Sequence, residues 1–375
     1  MSLQDTFEGV FSLFWDYMEI LKDWTFIVGT KGENNIDLYA GLENISGIKE
    51  RLFTPFANGR VSIINKKIVR RSFLHNDNRT KTIKCVSFDT QTVSYIEQYY
   101  RKSEVPYPGF DEVLRILKGH KFAYDHFPYT MENLLFHPER KQSVEKTLFA
   151  YEMLCGANMG SGLLSWLRSK SVVSFYSRKD FDFPFRVKDK YKLVYLSLLK
   201  MSYIQLAHSK WPLNKKMSVL LEFMNNEACQ IMQPELNLAN LYFSDGSASG
   251  FFGKVHCGNK DILVQLKNMA WDLMHLRFMD YSATIFNTKK ADALIPYFFT
   301  YDQRLQKVKK CYELQTLAIN TRNHSVIPIY AIGDSIRDVA QDHCTSEMYK
   351  ERMAKAVDLD QLILKCEQEV LKLAV

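Results

Sequence analysis

Four acidic residues in this 375-residue chain stand where a carboxylate has chemistry to do: Asp89, Glu132, Asp272 and Asp302. In Lys84-Cys-Val-Ser-Phe-Asp89-Thr-Gln-Thr-Val an apolar, strand-like run ends on an acid and passes at once into helical spacing. Asp89 is there either the helix N-cap, accepting a main-chain N–H, or a functional acid at a strand end. Glu132, in Pro128-Tyr-Thr-Met-Glu132-Asn-Leu-Leu, has apolar neighbours on a predicted helix, a poor place for a merely solvated charge. Asp272, in Met269-Ala-Trp-Asp272-Leu-Met-His-Leu, borders an apolar helical face and needs a partner such as Lys267, His275, Arg277 or a cation. Asp302 closes Phe298-Phe-Thr-Tyr-Asp302, an apolar strand followed by Thr-x-Asp and then a helix, repeating the arrangement at Asp89. Each acid alone reads most simply as a cap or as half of an ion pair. Gathered at one edge of a parallel sheet, they would repel one another unless a divalent cation neutralised them, and hard carboxylate oxygens suit magnesium or manganese. A cation held there binds a phosphodiester oxygen, activates a water and stabilises the leaving oxygen.

The elements that must position these acids alternate between strand and helix. The pattern predicts a strand over 83–88, helices over 92–100 and 111–117, and mostly helix from 120 to 230 with a basic, turn-rich interruption near 177–190. A long helix follows over 261–279, with Asp261 at its start as a cap. Then come a short strand at 298–299, a helix over 303–312, strands over 314–320 and 326–332, and amphipathic helix over 345–373. The first 80 residues read as a separate unit, with an amphipathic helix over 7–24, strands over 24–30 and 35–40, and a turn at 32–34 between them.

Strand-Asp-Thr-Gln at Asp89, a helical Glu 43 residues later, a helical Asp at 272 and strand-Thr-x-Asp-x-x-Leu ending at Leu305 together resemble the acidic quartet of PIN-domain nucleases. The resemblance spans about residues 83–335. It implies an α/β fold with a parallel sheet flanked by helices, in which strands 314–320 and 326–332 complete the sheet. The implied layout is a small α+β N-terminal accessory domain over 1–82, a PIN-like domain over 83–335 carrying a large helical insertion at about 145–255, and C-terminal amphipathic helices over 336–375. It further implies a metal-dependent endonuclease, cutting RNA more often than DNA and leaving a 5′-phosphate and a 3′-hydroxyl. Asp89 and Asp302 would hold Mg2+ or Mn2+, Glu132 and Asp272 would complete the shell, and Asp261 is the alternative to Asp272. Thr90, Gln91 and Thr300 would orient a carboxylate, the water or the substrate. Many members of this family act as toxins or in RNA processing, and a role in antiviral defence is a further expectation. A chain that cuts RNA in its own cytoplasm needs restraint, expected from a regulatory protein partner or a second copy of the chain. Two other readings compete: a nucleic-acid-binding scaffold that keeps the fold without the metal, and a structure-specific DNA nuclease.

Composition narrows the class. With 46% hydrophobic and 24% charged residues the chain is an ordinary globular protein rather than a disordered or fibrous one. Seven cysteines with no CxxC pair fit reduced thiols in a cytosolic compartment better than a zinc ribbon or a disulfide framework. No apolar run is long enough to predict a membrane span. The histidines form neither HxxxH nor HxH, and the Gly-rich stretch 245–258 carries no phosphate-cradling motif. The net charge of +7 is local. Residues 60–84 hold eight Lys or Arg against one acid, so the remainder is balanced. That segment reads either as a solvated strand pair with a loop or as a phosphate-contacting patch led by Lys66, Lys67, Arg70 and Arg71, placed to guide a polyanion toward the acids.

Overall fold

The computed structural model describes residues 3–30, 36–42, 48, 50–56, 59–75, 80–135, 137–155, 162–177, 187–244, 249–284, 290–323, 325–341 and 345–374. The turn expected at 32–34 and most of the basic interruption near 177–190 lie outside the described residues. In chain order the elements begin with α1 (Leu3–Asp16), β1 (Trp24–Gly29), β2 (Ile36–Asp37), β3 (Leu52–Phe53), β4 (Arg60–Asn65), α2 (Lys66–His75) and β5 (Thr82–Phe88). There follow α3 (Thr90–Lys102), α4 (Phe110–Gly119), β6 (Ala123–Asp125), α5 (Phe127–Leu135), α6 (Lys141–Cys155) and α7 (Gly162–Tyr176). Next come α8 (Val187–Ala207), α9 (Leu213–Asn226), α10 (Gln233–Ser244), α11 (Ser249–Phe252) and α12 (Ile262–Ser282). The chain closes with β7 (Ala293–Phe299), α13 (Gln303–Val308), β8 (Leu314–Asn320), β9 (Val326–Tyr330), α14 (Asp334–Gln341), α15 (Ser346–Ala354) and α16 (Leu359–Ala374). The class is mixed α/β.

Two compact units make up the chain. The first joins Met1–Phe181, His275–Asp302 and Glu313–Ile329; the second joins Asp182–Met274, Gln303–Tyr312 and Tyr330–Val375. This division cuts differently from the one expected at residues 82 and 335. The N-terminal strands share a unit with the sheet that follows them, and the helical stretch 145–255 is divided between the units.

The first unit holds two sheets. One has the order β3-β7-β5-β6, with β5 central and parallel to both β6 and β7, and β3 antiparallel on the far edge of β7. Every residue of β7 is buried, as the unbroken apolar run Ala-Leu-Ile-Pro-Tyr-Phe-Phe requires of a strand covered on both faces. The sequence predicts only its last two residues, Phe298 and Phe299, as strand. Among the described residues β3 pairs only with Phe298 and Phe299, so Pro296 lies outside that pairing and its missing N–H breaks none of those ladder bonds.

The second sheet, β2-β4-β1-β8-β9, is where the expected continuation of the parallel sheet has to be corrected. β8 pairs antiparallel with β1, from Trp24 opposite Asn320 to Val28 opposite Thr316. The reason lies in β1: an apolar strand needs partners on both edges, and β4 supplies one and β8 the other. Phe14, Phe26, Val28, Ile64, Val69 and Ala318 form the core between this sheet and α1 and α2. α2 itself replaces the expected strand pair and loop. Lys66, Lys67, Arg70 and Arg71 recur at helical spacing around an inward Ile68 and Val69, both buried.

The second unit is helical. α8 packs along α16, where Tyr195 donates to Glu367 at 2.8 Å and Lys192 pairs with Asp360 at 2.7 Å. The amphipathic helices expected at the C-terminal end include α15 and α16, separated at 355–358. Among the described residues no helix is long and apolar enough to cross a membrane. The six described cysteines are all free thiols.

Candidate active site

Parallel pairing decides which of the candidate residues come together. Because β5 and β7 run the same way with Phe88 opposite Phe299, the residues that follow them, Asp89 and Thr300, emerge side by side. Asp89 is the N-cap of α3, its Oδ1 accepting the Thr92 N–H at 2.6 Å. Its other oxygen accepts the Thr300 hydroxyl, and the same Thr300 oxygen accepts the Asp302 N–H at 2.9 Å. Asp89 therefore caps α3 and also meets the end of β7 through Thr300. Across the edge, Glu132 on α5 accepts the Thr90 hydroxyl from the first residue of α3, and its Oε2 lies 3.0 Å from His275 Nε2. Asp89, Thr90, Glu132, Thr300 and Asp302 thus share one edge of one unit.

Two polar residues at this edge escape the sequence reading. His275 sits on the buried face of α12, where the spacing after Asp272 hinted at it only as a partner for that acid. Asp125 ends β6, so all three parallel strands finish near an acid. It accepts the Ser87 hydroxyl at 3.0 Å, the Ser282 hydroxyl at 2.7 Å and the Phe127 N–H at 2.9 Å. Its signal was present in Ala-Tyr-Asp-His, but a three-residue strand is too short for alternation to show. Asp272 and its alternative Asp261 belong to the second unit. Asp261 is exposed and immediately precedes α12, its carbonyl accepting the Gln265 N–H at 3.0 Å as a capping residue's does. Gln91, exposed, donates to the Tyr95 hydroxyl at 2.7 Å.

The two central carboxylates are pushed in opposite directions. Burial raises the pKa of Asp89, and the hydrogen bonds from Thr300 and Thr92 only partly pull it back. Burial also works against ionised Glu132, but the hydrogen bond and charge of His275, with the Thr90 hydroxyl, outweigh it and leave this pKa below the ordinary value. The two carboxyls are thus driven apart, Asp89 upward by its burial and Glu132 downward by its partners.

Among the described residues no group of three His, Cys, Asp or Glu side chains stands close enough to hold a metal ion. They form no ready three-ligand cage. The donor set suits magnesium or manganese in the looser manner, in which one or two carboxylates bind and water and substrate phosphate complete the shell.

The basic segment lies elsewhere. Lys67 and Arg71 pair with Asp292 at 2.8 and 3.4 Å, and Lys66 and Arg70 with Glu19 at 2.7 and 3.9 Å. Asp292 immediately precedes β7 and accepts the Lys81 N–H at 2.9 Å, so this cluster clamps the amino ends of β5 and β7. Seven strand residues separate it from the acidic edge by about 20 Å. The Asp292 carboxylate is fully buried. Burial works against its charge, but Lys67, the Lys81 N–H and Arg71 hold its pKa below the ordinary value. A depressed folded pKa gives stability that is present above the unfolded value, about 3.9, and is lost as pH falls through the folded value. Asp292→Asn is therefore expected to cost about 1–3 kcal/mol in urea unfolding at pH 7, a deficit that shrinks as pH falls through the folded value. A deficit independent of pH would contradict the ion-pair account.

Compared with known proteins, the chain matches no family model, no curated protein and no solved structure.

Proposed function

We propose that the carboxyl edge of β5, β6 and β7 is the active site of a PIN-like endonuclease that hydrolyses phosphodiester bonds, RNA ahead of DNA. The observation that carries this reading is the meeting of Asp89 and Thr300 across a parallel strand pair, with Glu132 tied to the next residue, Thr90. The order with β5 central and β6 and β7 on either side supports the PIN-like assignment, since it leaves an acid after each parallel strand.

The roles follow from the geometry. Thr300 fixes the Asp89 carboxylate and the Asp302 main chain through one hydroxyl, so both acids take their positions from the end of β7. His275 keeps Glu132 ionised and oriented. One or two of Asp89, Glu132 and Asp302 would hold the divalent cation, with water and substrate phosphate completing its shell. When bound, that cation supplies Lewis-acid polarisation of the phosphoryl oxygen and a more acidic water. It would also offset the cost of keeping Asp89 buried and ionised.

Thermal unfolding in magnesium or manganese tests the site directly. At about 10 mM cation the wild-type melting temperature is expected to rise by roughly 2–4 °C, and that of an Asp89→Asn/Asp302→Asn protein to stay where it was. Equal shifts in both proteins, or none in wild type, would remove the cation from this edge.

A further inference from the structure

Beside the acidic edge lies a cluster of rings with one cation that the acids do not use. Tyr301, between Thr300 and Asp302 in the chain, is nine-tenths buried. Its ring centroid lies 4.3 Å from that of Tyr107, 5.7 Å from Tyr95 and 6.4 Å from Phe110. The Arg51 guanidinium stands over both Tyr301 and Tyr107, 4.8 and 5.0 Å from their centroids. The main chain sets this placement, because the Arg51 carbonyl accepts the Thr300 N–H at 3.1 Å. Arg51, Tyr95 and Tyr107 are all half-buried, so the cluster opens to solvent on one side.

Two features of the cluster have no purpose in packing alone. Among the described residues the Arg51 guanidinium is held by two ring faces and by no carboxylate. The Tyr301 hydroxyl is buried and, among the described residues, has no hydrogen-bond partner, a state that costs about 1–3 kcal/mol. A flat π-system joined to an anion would satisfy all of these groups. The base stacks on a tyrosine face, the guanidinium moves from the rings to the phosphate in its fork geometry, and the uncovered Tyr301 hydroxyl donates.

We propose that Arg51, Tyr95, Tyr107 and Tyr301 form a nucleotide subsite for single-stranded nucleic acid, in which Tyr107 stacks an unpaired base and Arg51 takes the adjoining phosphate. A duplex cannot use it, because its base faces are already stacked. The subsite's place next to the cleaved bond rests on the nuclease reading; binding itself needs no metal.

Fluorescence anisotropy in EDTA tests the binding. The probes are labelled oligo(rU) and oligo(dT) of about 12 nucleotides, within the usual footprint of such sites, and a duplex of equal length. Wild type is expected to bind the single strands more tightly than the duplex. Arg51→Ala and Tyr107→Ala should each weaken single-strand binding about tenfold, and Tyr107→Phe should restore it. A preference for RNA adds a contact to the 2′-hydroxyl and equal binding places recognition in base and phosphate; either supports the subsite. Should Arg51→Ala fail to fold, Arg51→Lys, which keeps the charge but loses the fork, should still weaken binding. Duplex binding as tight as single-strand binding, alanine variants within about twofold of wild type, or no binding by wild type would overturn the proposal. A parallel cleavage assay in manganese separates the two readings. Binding lost in the alanine variants with no cleavage by wild type leaves the subsite standing and the nuclease fallen. Cleavage at wild-type rate by Tyr107→Ala leaves the nuclease standing and the subsite overturned.

Discussion

Asp89→Asn is expected to lower the rate of phosphodiester cleavage by a factor of about 10³ or more, while the melting temperature stays level or rises. The two halves of this result have one cause. Burial opposes the charge on Asp89, so its pKa is raised in the folded chain. A raised folded pKa means that the ionised carboxylate detracts from stability at neutral pH, and an uncharged amide of the same shape removes that penalty. Asparagine also keeps the capping bond, since its side-chain oxygen can still accept the Thr92 N–H. A purely structural cap would leave activity untouched, because asparagine caps a helix as well as aspartate does. Single-turnover cleavage and thermal unfolding of the same preparation decide between them. An Asp89→Asn protein that cleaves at wild-type rate, or that melts several degrees lower, would count against a functional carboxylate at this position.

The second large effect is expected at Thr300. Its hydroxyl donates to Asp89 and accepts from the Asp302 main chain, and the residue is fully buried. Thr300→Val keeps the shape and deletes the hydroxyl, leaving a buried carboxylate with one donor fewer and a main-chain N–H without its acceptor. Urea unfolding should show a loss of about 1–3 kcal/mol. Activity should respond through Asp89. The hydrogen bond from Thr300 lowers the Asp89 pKa, so its removal raises that pKa further above the ordinary value. If cleavage needs Asp89 ionised, the rate falls as pH drops through this pKa, and the acid limb of the profile moves to higher pH in the valine variant. In the Asp89→Asn background most of the stability loss should disappear, because the buried charge that needed the hydroxyl is gone. A Thr300→Val protein with wild-type stability and an unmoved acid limb would show that the hydroxyl supports neither acid.

Local signals carried the sequence reading a long way at this edge and failed where distant segments choose one another. Asp89 and Asp302 could be singled out because strand, acid and helix follow within a few residues, and β8 begins and ends where its apolar run does. Glu132 stood out as a charge among apolar neighbours, although nothing local could say that His275, 143 residues away, would partner it. The pairing of β8 with β1 joins residues almost 300 positions apart, and no property of either strand forbids the parallel sheet as its alternative. The charge excess of residues 60–84 looked like a nucleic-acid patch because charge is visible in a sequence and its partners are not. Asp292 and Glu19, far away in the chain, take up the four leading cations. Arg51 carries no local signal for the same reason, since its rings, Tyr107 and Tyr301, come from the segment before α4 and the residues after β7.

The most direct measurement is cleavage of end-labelled single-stranded RNA and DNA by purified wild-type protein in manganese, beside Asp302→Asn protein prepared in the same way. The account predicts fragments with 5′-phosphate and 3′-hydroxyl ends from wild type, none when EDTA replaces manganese, and none from the variant. Equal cleavage by the two proteins, or no cleavage of either nucleic acid by wild type, would contradict it.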